Sequence, residues 1–184
     1  MPLAVGTHEI RQGSGSVWLR TSRTGLGRRA GHDLALEVTR FEGRLTVAED
    51  PGRSSVEVSL DSRSILVREG TGGVKPLTDK DRSDIKGTIE GRSQLDAGRF
   101  PEITFRSKDV RGTAEALDVA GELTIRGQTR PVRLRAAVDH SGRLQGSATL
   151  VQSEFGIRPY TAFLGALRLA DQVQVRFQLQ LPTH

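Results

Sequence analysis

Over most of its length the chain alternates apolar with polar residues. That is the period of a strand with one face buried. Leu34-Ala35-Leu36-Glu37-Val38 shows it, and so do Val56, Val58 and Leu60 set against Glu57 and Ser59. After Pro101 come Ile103 and Phe105, then Leu117, Val119, Leu123 and Ile125, with Gly121 in phase. Val132, Leu134, Ala136 and Val138 oppose Arg133 and Arg135. Leu144, Gly146, Ala148 and Leu150 follow, and the last run carries Val173, Val175, Phe177, Leu179 and Leu181. A period of two fixes which side chains share a face, so it constrains the fold more than any short motif. Asp50-Pro51-Gly52, Arg126-Gly127-Gln128-Thr129 and His140-Ser141-Gly142 read as turns. A first strand over Ser16–Ser22 and extended chain over Ser64–Arg68 bring the count to about eight. Strands joined this way predict an antiparallel barrel or sandwich.

Two places break the pattern. After Val38 the apolar phase slips to Phe41, Gly43, Leu45 and Val47, which predicts a β-bulge near Thr39-Arg40 in one long, bent strand. Between Asp79 and Leu95 the period changes. Thr78 followed by Asp81 is a weak capping box, and Ile85 and Ile89 lie on one helical face. Gly87 and Gly91 weaken such a helix by roughly 1 kcal/mol each relative to Ala, so it needs something to pack on. Gly43, Gly121 and Gly146, in phase with inward residues, either bend the sheet or leave room inside it.

Composition narrows the function. The 184 residues can bury a sizeable core, and the 21 Gly match a protein rich in turns. No Cys is present, which excludes disulfides, thiolate metal sites and thiol catalysis. His8, His32, His140 and His184 are too dispersed to predict a metal site, and Gly-x-Ser-x-Gly does not occur. Only four of the 27 basic residues are Lys, and Asn is absent. The net charge of +5 is spread along the chain without interleaved aromatics, so it reads as an Arg bias of coding rather than a nucleic-acid surface. No run is long enough to cross a bilayer as a helix. The N-terminus has no basic segment followed by an apolar one, so a cytoplasmic location is expected.

Several segments together are similar to one family. Phe100-Pro101-Glu102-Ile103-Thr104-Phe105-Arg106-Ser107 resembles its aromatic-Pro-x-Ile-x-Phe-x-Ser motif. Val119 to Val132 resembles its V-x-G-x-L-T-I-x-G-x-T-x-P-V strand pair, and Ser153-Glu154-Phe155-Gly156 its late S-x-F-G element. These identify the chain as resembling the YceI-like family over nearly its whole length, as one domain over 1–184. The resemblance implies an all-β fold: a single antiparallel, eight-stranded, lipocalin-like β-barrel with one short helix and an apolar loop or helical turn near the mouth. It also implies a binding protein rather than an enzyme, holding an isoprenoid-like or fatty-acyl amphiphile, with no cofactor besides such a lipid. The alternatives are a filled barrel serving as a protein-interaction module and a small hydrolase or isomerase with a polar cluster inside. The Gly-rich segment Val67 to Lys80 is expected to be a longer lid.

Candidate site residues follow from phase and loop composition. Leu36, Val38, Phe41, Phe105, Leu123 and Ile125 face inward as core or ligand wall, as do Leu45, Val58, Ile103, Leu134, Leu150, Val175 and Phe177. Phe155, Tyr160, Phe163, Leu164 and Leu167 put apolar weight where a polar loop is expected, so that segment needs a partner: the barrel mouth, the core, or a homodimer contact. Ala162–Ala170 is expected to form one or two helical turns. Arg23, Arg28 and Arg29, near His32, are candidates for a phosphate or carboxylate head group. Asp33, adjacent to His32 on a strand, points to the other face and cannot orient it as in a triad.

Overall fold

The computed structural model describes residues 3–183. In chain order the strands are β1 (Gly6–Arg11), β2 (Gly15–Arg20), β3 (Arg23–Thr24), β4 (His32–Val38), β5 (Phe41–Val47), β6 (Ser55–Asp61) and β7 (Ile65–Gly72). Helix α1 (Asp79–Glu90) follows. Then come β8 (Glu102–Thr113), β9 (Ala116–Ile125), β10 (Gln128–Val138), β11 (Arg143–Val151), β12 (Thr161–Ala162), β13 (Leu167–Leu169) and β14 (Gln172–Gln180). Eleven of these form one sheet in the order β1-β5-β6-β8-β9-β10-β11-β14-β2-β4-β7, and β12-β13-β3 form a second, small sheet.

Eight strands were expected and eleven elements build the main sheet. The difference lies in three kinks. β1 and β2 are one path broken by a 3-10 turn at Gln12–Ser14, β4 and β5 are one path broken at Thr39-Arg40, and β6 and β7 are one path broken by a 3-10 turn at Ser62–Ser64. β1 pairs β5 while β2 pairs β4, and β5 pairs β6 while β4 pairs β7, so each long path stays beside the same neighbour across its kink. Counted as paths, the strands number eight. Pairing runs from β8 through β14 to β2 and β4; the chain then carries it into β5, and β6 returns it to β8. The sheet is thus a closed antiparallel barrel.

Ser64 makes the break at Thr39-Arg40 possible. Its carbonyl accepts from the Thr39 amide at 3.0 Å and its hydroxyl from the Arg40 amide at 3.0 Å. These bonds replace the ladder where the strand turns. In place of the bulge expected at Thr39-Arg40 the strand breaks into β4 and β5, and the register shifts lie between Ala35 and Leu36 and between Ser107 and Asp109. Ser62 and Ser64 are buried here, with Ser62 Oγ donating to the Phe100 carbonyl.

Other elements differ from expectation. α1 ends at Glu90 rather than near Leu95, because Gly91 leaves the helix in an extended conformation. The amides of Leu95 and Ala97 then fold back onto the carbonyls of Ile89 and Glu90. Val67–Gly72, expected as the start of a lid, is strand β7 paired along β4. Ala162–Ala170, expected as helical turns, is a short hairpin of β12 and β13 around a 3-10 turn at Phe163–Gly165. β1 is a strand the alternation did not reveal, since Ile10 is its one buried apolar side chain.

Two of the three inward glycines, Gly121 and Gly146, are seats for aromatic rings, whereas a Cβ on Gly43 would meet the Glu57 carbonyl and Val58. A Cβ on Gly121 would lie 2.6 Å from the Phe105 ring and 2.6 Å from the Arg106 carbonyl oxygen. One on Gly146 would lie 2.4 Å from the Phe177 ring and 2.6 Å from the Arg135 carbonyl oxygen. Each Phe lies across a neighbouring strand at a point where that strand has no side chain. The rings therefore line the wall without filling the interior. Because backbone blocks the added carbon as well as the ring, Gly146→Ala is expected to destabilise by about 1–3 kcal/mol, read as a lowered thermal midpoint.

Apolar packing closes one end of the barrel. Leu3, Ile10, Val47, Val110, Leu117, Val138, Leu179 and Leu181 are buried there. A bridge between Leu3 and Thr183 ties the chain ends together across it. At the other end α1 packs on β7, with Ile85, Ile89 and Leu77 against the buried cluster of Leu34, Leu36, Val38, Ile65 and Val67.

Candidate functional site: an apolar cavity and its mouth

The barrel is hollow. A cavity of about 660 Å³ occupies its interior, within the roughly 300–1,000 Å³ usual for small-molecule sites. The strand period accounts for the wall: residues in one phase of each strand all face the axis. Leu36, Val38, Phe41, Phe105, Leu123 and Ile125 line it, as do Leu134, Leu150, Val175 and Phe177.

The mouth lies at the end opposite Leu3. Ala30, Gly31 and His32 border the cavity on one side and Ile85, Thr88 and Ile89 of α1 on another. Phe155, Tyr160, Ala162, Phe163 and Leu167 complete the rim. Part of the apolar late segment thus borders the cavity. Phe155 is 1% exposed and belongs to the core as well. Leu164 differs: it does not border the cavity and is fully exposed at the tip of the β12–β13 hairpin. There Phe163 and Leu164 take positive φ angles of 49° and 53°. That conformation costs an L-residue about 1–2 kcal/mol, and it turns Leu164 away from the barrel. Sequence reasoning missed α1 as part of the mouth. The four-residue spacing of Ile85 and Ile89 was the available signal, and it marked a packed face without saying what the face bordered.

The predicted head-group residues divide. Arg23 is committed within the fold: its guanidinium donates to the Gly31 carbonyl at 2.6 Å and lies 3.6 Å from Asp33, whose carboxylate also accepts from the Arg23 amide at 2.7 Å. Arg28 and Arg29 sit in an exposed 3-10 turn and do not border the cavity. His32 does border it. Its Nε2 lies 2.7 Å from the Lys75 carbonyl, an acceptor only, so Nε2 carries a proton and donates. Asp33 turns to Arg23 and not to His32, as the strand period requires.

Polar side chains near the cavity are few and mostly paired. Asp61 holds Arg40, at 2.6 Å, and Asp84 holds Lys80, also at 2.6 Å. Gln152 donates to the Ala170 carbonyl and Gln94 to the Arg158 carbonyl. Among the described residues no cluster of three or more His, Asp or Glu is placed to hold a metal ion. No helix among them is long and apolar enough to cross a membrane.

The helix at the mouth depends on its cap. The Thr78 amide donates to Asp81 at 2.9 Å, and the Thr78 hydroxyl lies 2.7 Å from the same carboxylate. These hydrogen bonds hold the Asp81 carboxyl below the usual carboxylate range. A carboxyl depressed in the folded state adds stability above its unfolded pKa and loses it as pH falls through the folded one. Acidification below the ordinary carboxylate range is therefore expected to fray the first turn of α1 before the barrel unfolds. Amide hydrogen exchange over residues 79–83 should show this, and Thr78→Ala should produce the same exchange at neutral pH.

The profile of the YceI-like domain matches residues 19–181. A UPF0312 protein of Pseudomonas paraeruginosa is 27% identical over 128 residues, which is 64% of this chain and 60% of that protein. A UPF0312 protein of Yersinia enterocolitica is 28% identical over 103 residues, 55% of this chain and 47% of the relative. The chain thus spans about half to three fifths of the curated relatives it matches. Among solved structures, BcnA of Burkholderia cenocepacia superposes with a TM-score of 0.65 at 19% identity, covering 89% of this chain and 94% of that one. The YceI protein of Campylobacter jejuni superposes with a TM-score of 0.60 at 14% identity, covering 78% and 81%. At such identities the two structures speak to the barrel alone. The profile, running from β2 through β14, carries the assignment: the chain belongs to the YceI-like domain family.

Proposed function

We propose that this protein binds a slender amphiphile, an isoprenoid or fatty-acyl chain, by sequestering its apolar tail in the barrel. The apolar cavity of about 660 Å³ carries the reading. Each methylene moved from water into such a wall contributes roughly 0.8 kcal/mol, so a long tail can outweigh the cost of ordering it. The wall needs no reactive group for that. The polar end rests at the mouth, against His32 and the phenol of Tyr160, both of which border the cavity. Transport, storage or protection of the lipid are the roles such sequestration serves. The rival readings ask for a filled barrel or an enclosed acid–base pair, and the hollow apolar interior favours neither.

Native mass spectrometry of protein purified from its own host, followed by organic extraction, tests the proposal. A stoichiometric isoprenoid or acyl species is expected. Protein that arrives empty and also refuses added prenyl and fatty-acyl lipids would sink it.

A further inference from the structure

The most exposed large apolar side chains gather at one end, with Val5, 52% exposed near the closed end, standing apart. Leu26, Val74, Phe163 and Leu164 are 101%, 80%, 68% and 109% exposed, and all four belong to loops at the mouth. Their contacts place them together. Gly25 and Gly27, on either side of Leu26, both lie against Ala166, and the Gly27 amide donates to the Ala166 carbonyl. The Ala166 amide in turn donates to the Phe163 carbonyl. Across β3, Arg23 pairs with Leu169 and lies against Gly72, and the His32 ring lies against Gly73, next to Val74. The hairpin tip thus holds two bulky apolar residues outward in a backbone conformation that disfavours them. Leu164 is left uncovered by the rest of the described chain, and Phe163, which borders the cavity on one side, is still 68% exposed.

The same loops carry unopposed positive charge. Arg28, Arg29, Lys75 and Arg168 are exposed, and none forms an ion pair among the described residues. Most acidic groups near the mouth are engaged: Asp33 with Arg23, Asp79 with Arg82, Asp84 with Lys80, and Asp81 in the cap, while Glu69 and Glu154 are exposed without an ion pair among the described residues. Apolar tips ringed by free cations match a surface with an apolar interior under an anionic layer. We infer that the mouth rim formed by the 23–31, 72–75 and 163–168 loops docks on anionic phospholipid bilayers. Leu26 and Leu164 insert among the acyl chains, and Arg28 and Arg29 meet the headgroups. The inference rests on the ligand reading above and adds to it, because docking there would open the cavity toward the lipid phase.

Vesicle flotation tests it with three proteins: the unaltered chain, Leu26→Ser/Leu164→Ser, and Arg28→Glu/Arg29→Glu. None of the four altered residues borders the cavity. The unaltered chain is expected to float with phosphatidylcholine vesicles containing phosphatidylglycerol and much less with phosphatidylcholine alone. The leucine variant should lose at least about tenfold in partitioning, and the arginine variant should lose the preference for phosphatidylglycerol. Uptake of a fluorescent fatty acid without vesicles should be unchanged in both. Failure of the unaltered chain to float, or flotation of the leucine variant to the same extent, overturns docking. So does a dimer in sedimentation equilibrium that the leucine variant dissociates, since the patch would then face a second copy. A protein that floats but takes up no fatty acid supports docking and overturns the ligand reading alone.

Discussion

Replacing Ala148 by Trp is expected to abolish most lipid binding while leaving the barrel as stable as before or slightly more so. Ala148 is buried on β11, directly paired with Val175 of β14, and it borders the cavity. An indole there is expected to extend into the cavity that Ala148 borders. Filling a cavity usually stabilises, so the thermal midpoint of the empty protein should hold or rise. The ligand meets the opposite effect. If the indole excludes only three methylenes of the tail, the loss is about 2.4 kcal/mol, or roughly fiftyfold in affinity. Titration with a fluorescent fatty acid beside thermal unfolding reads both quantities. Unchanged affinity would mean that the ligand does not use the barrel. A lower midpoint would mean that the wall at Ala148 is already packed.

The opposite signs expected at Ala148 and Gly146 show what the sequence can and cannot say about the interior. Both are small residues in one phase of one strand, and alternation alone makes them equivalent. They differ because Phe177 lies across Gly146, whereas Ala148 faces the cavity. Which positions face inward was legible, since the period of two decides it without knowledge of the partners. Leu36, Val38, Phe41, Phe105, Leu123 and Ile125 share that inward phase and border the cavity. The slip after Val38 announced the kink at Thr39-Arg40 for the same reason.

Illegible features depend on loop geometry that no period records. Arg23 reads as a free head-group ligand until β3 and β4 bring Asp33 and the Gly31 carbonyl to it. β12 and β13 are two and three residues long, too short for any period to register. The direction of Leu164 is set by its left-handed backbone, which its identity as leucine argues against. β1 was invisible because a strand that buries one apolar side chain leaves no alternation to read. The mouth is made from these features, which is why the sequence described the wall of the site better than its entrance.

Phe155→Ala is expected to lower stability by about 3–5 kcal/mol, the largest effect of any single substitution considered. Phe155 lies in a segment that reads as loop, yet it is among the most deeply buried large side chains, at 1% exposure. The surrounding backbone is held too firmly to collapse into the space its removal would leave. The Gln152 amide donates to the Asp171 carbonyl at 2.9 Å and the Ser153 amide to the Asp171 carboxylate at 2.8 Å. Arg126 donates to the Gly156 carbonyl at 2.9 Å, and Gly156 turns the chain at φ 72°, where a side chain would be strained. A rigid frame keeps the cavity term close to its full value. For a chain of this length, about 2–4 °C per kcal/mol puts the midpoint roughly 6–20 °C lower. Leu164→Ala, nine residues on and fully exposed, should shift it by less than about 0.5 kcal/mol. Equal effects at the two positions would refute the division of this segment into a plug and an outward tip. Since Phe155 also borders the cavity, a ligand that fills the barrel should return part of the loss, about 2.7 kcal/mol at a hundred times its Kd for the variant. Recovery by a fatty acid and not by its soluble head group would tie the plug's stability to the tail, as sequestration in the barrel requires.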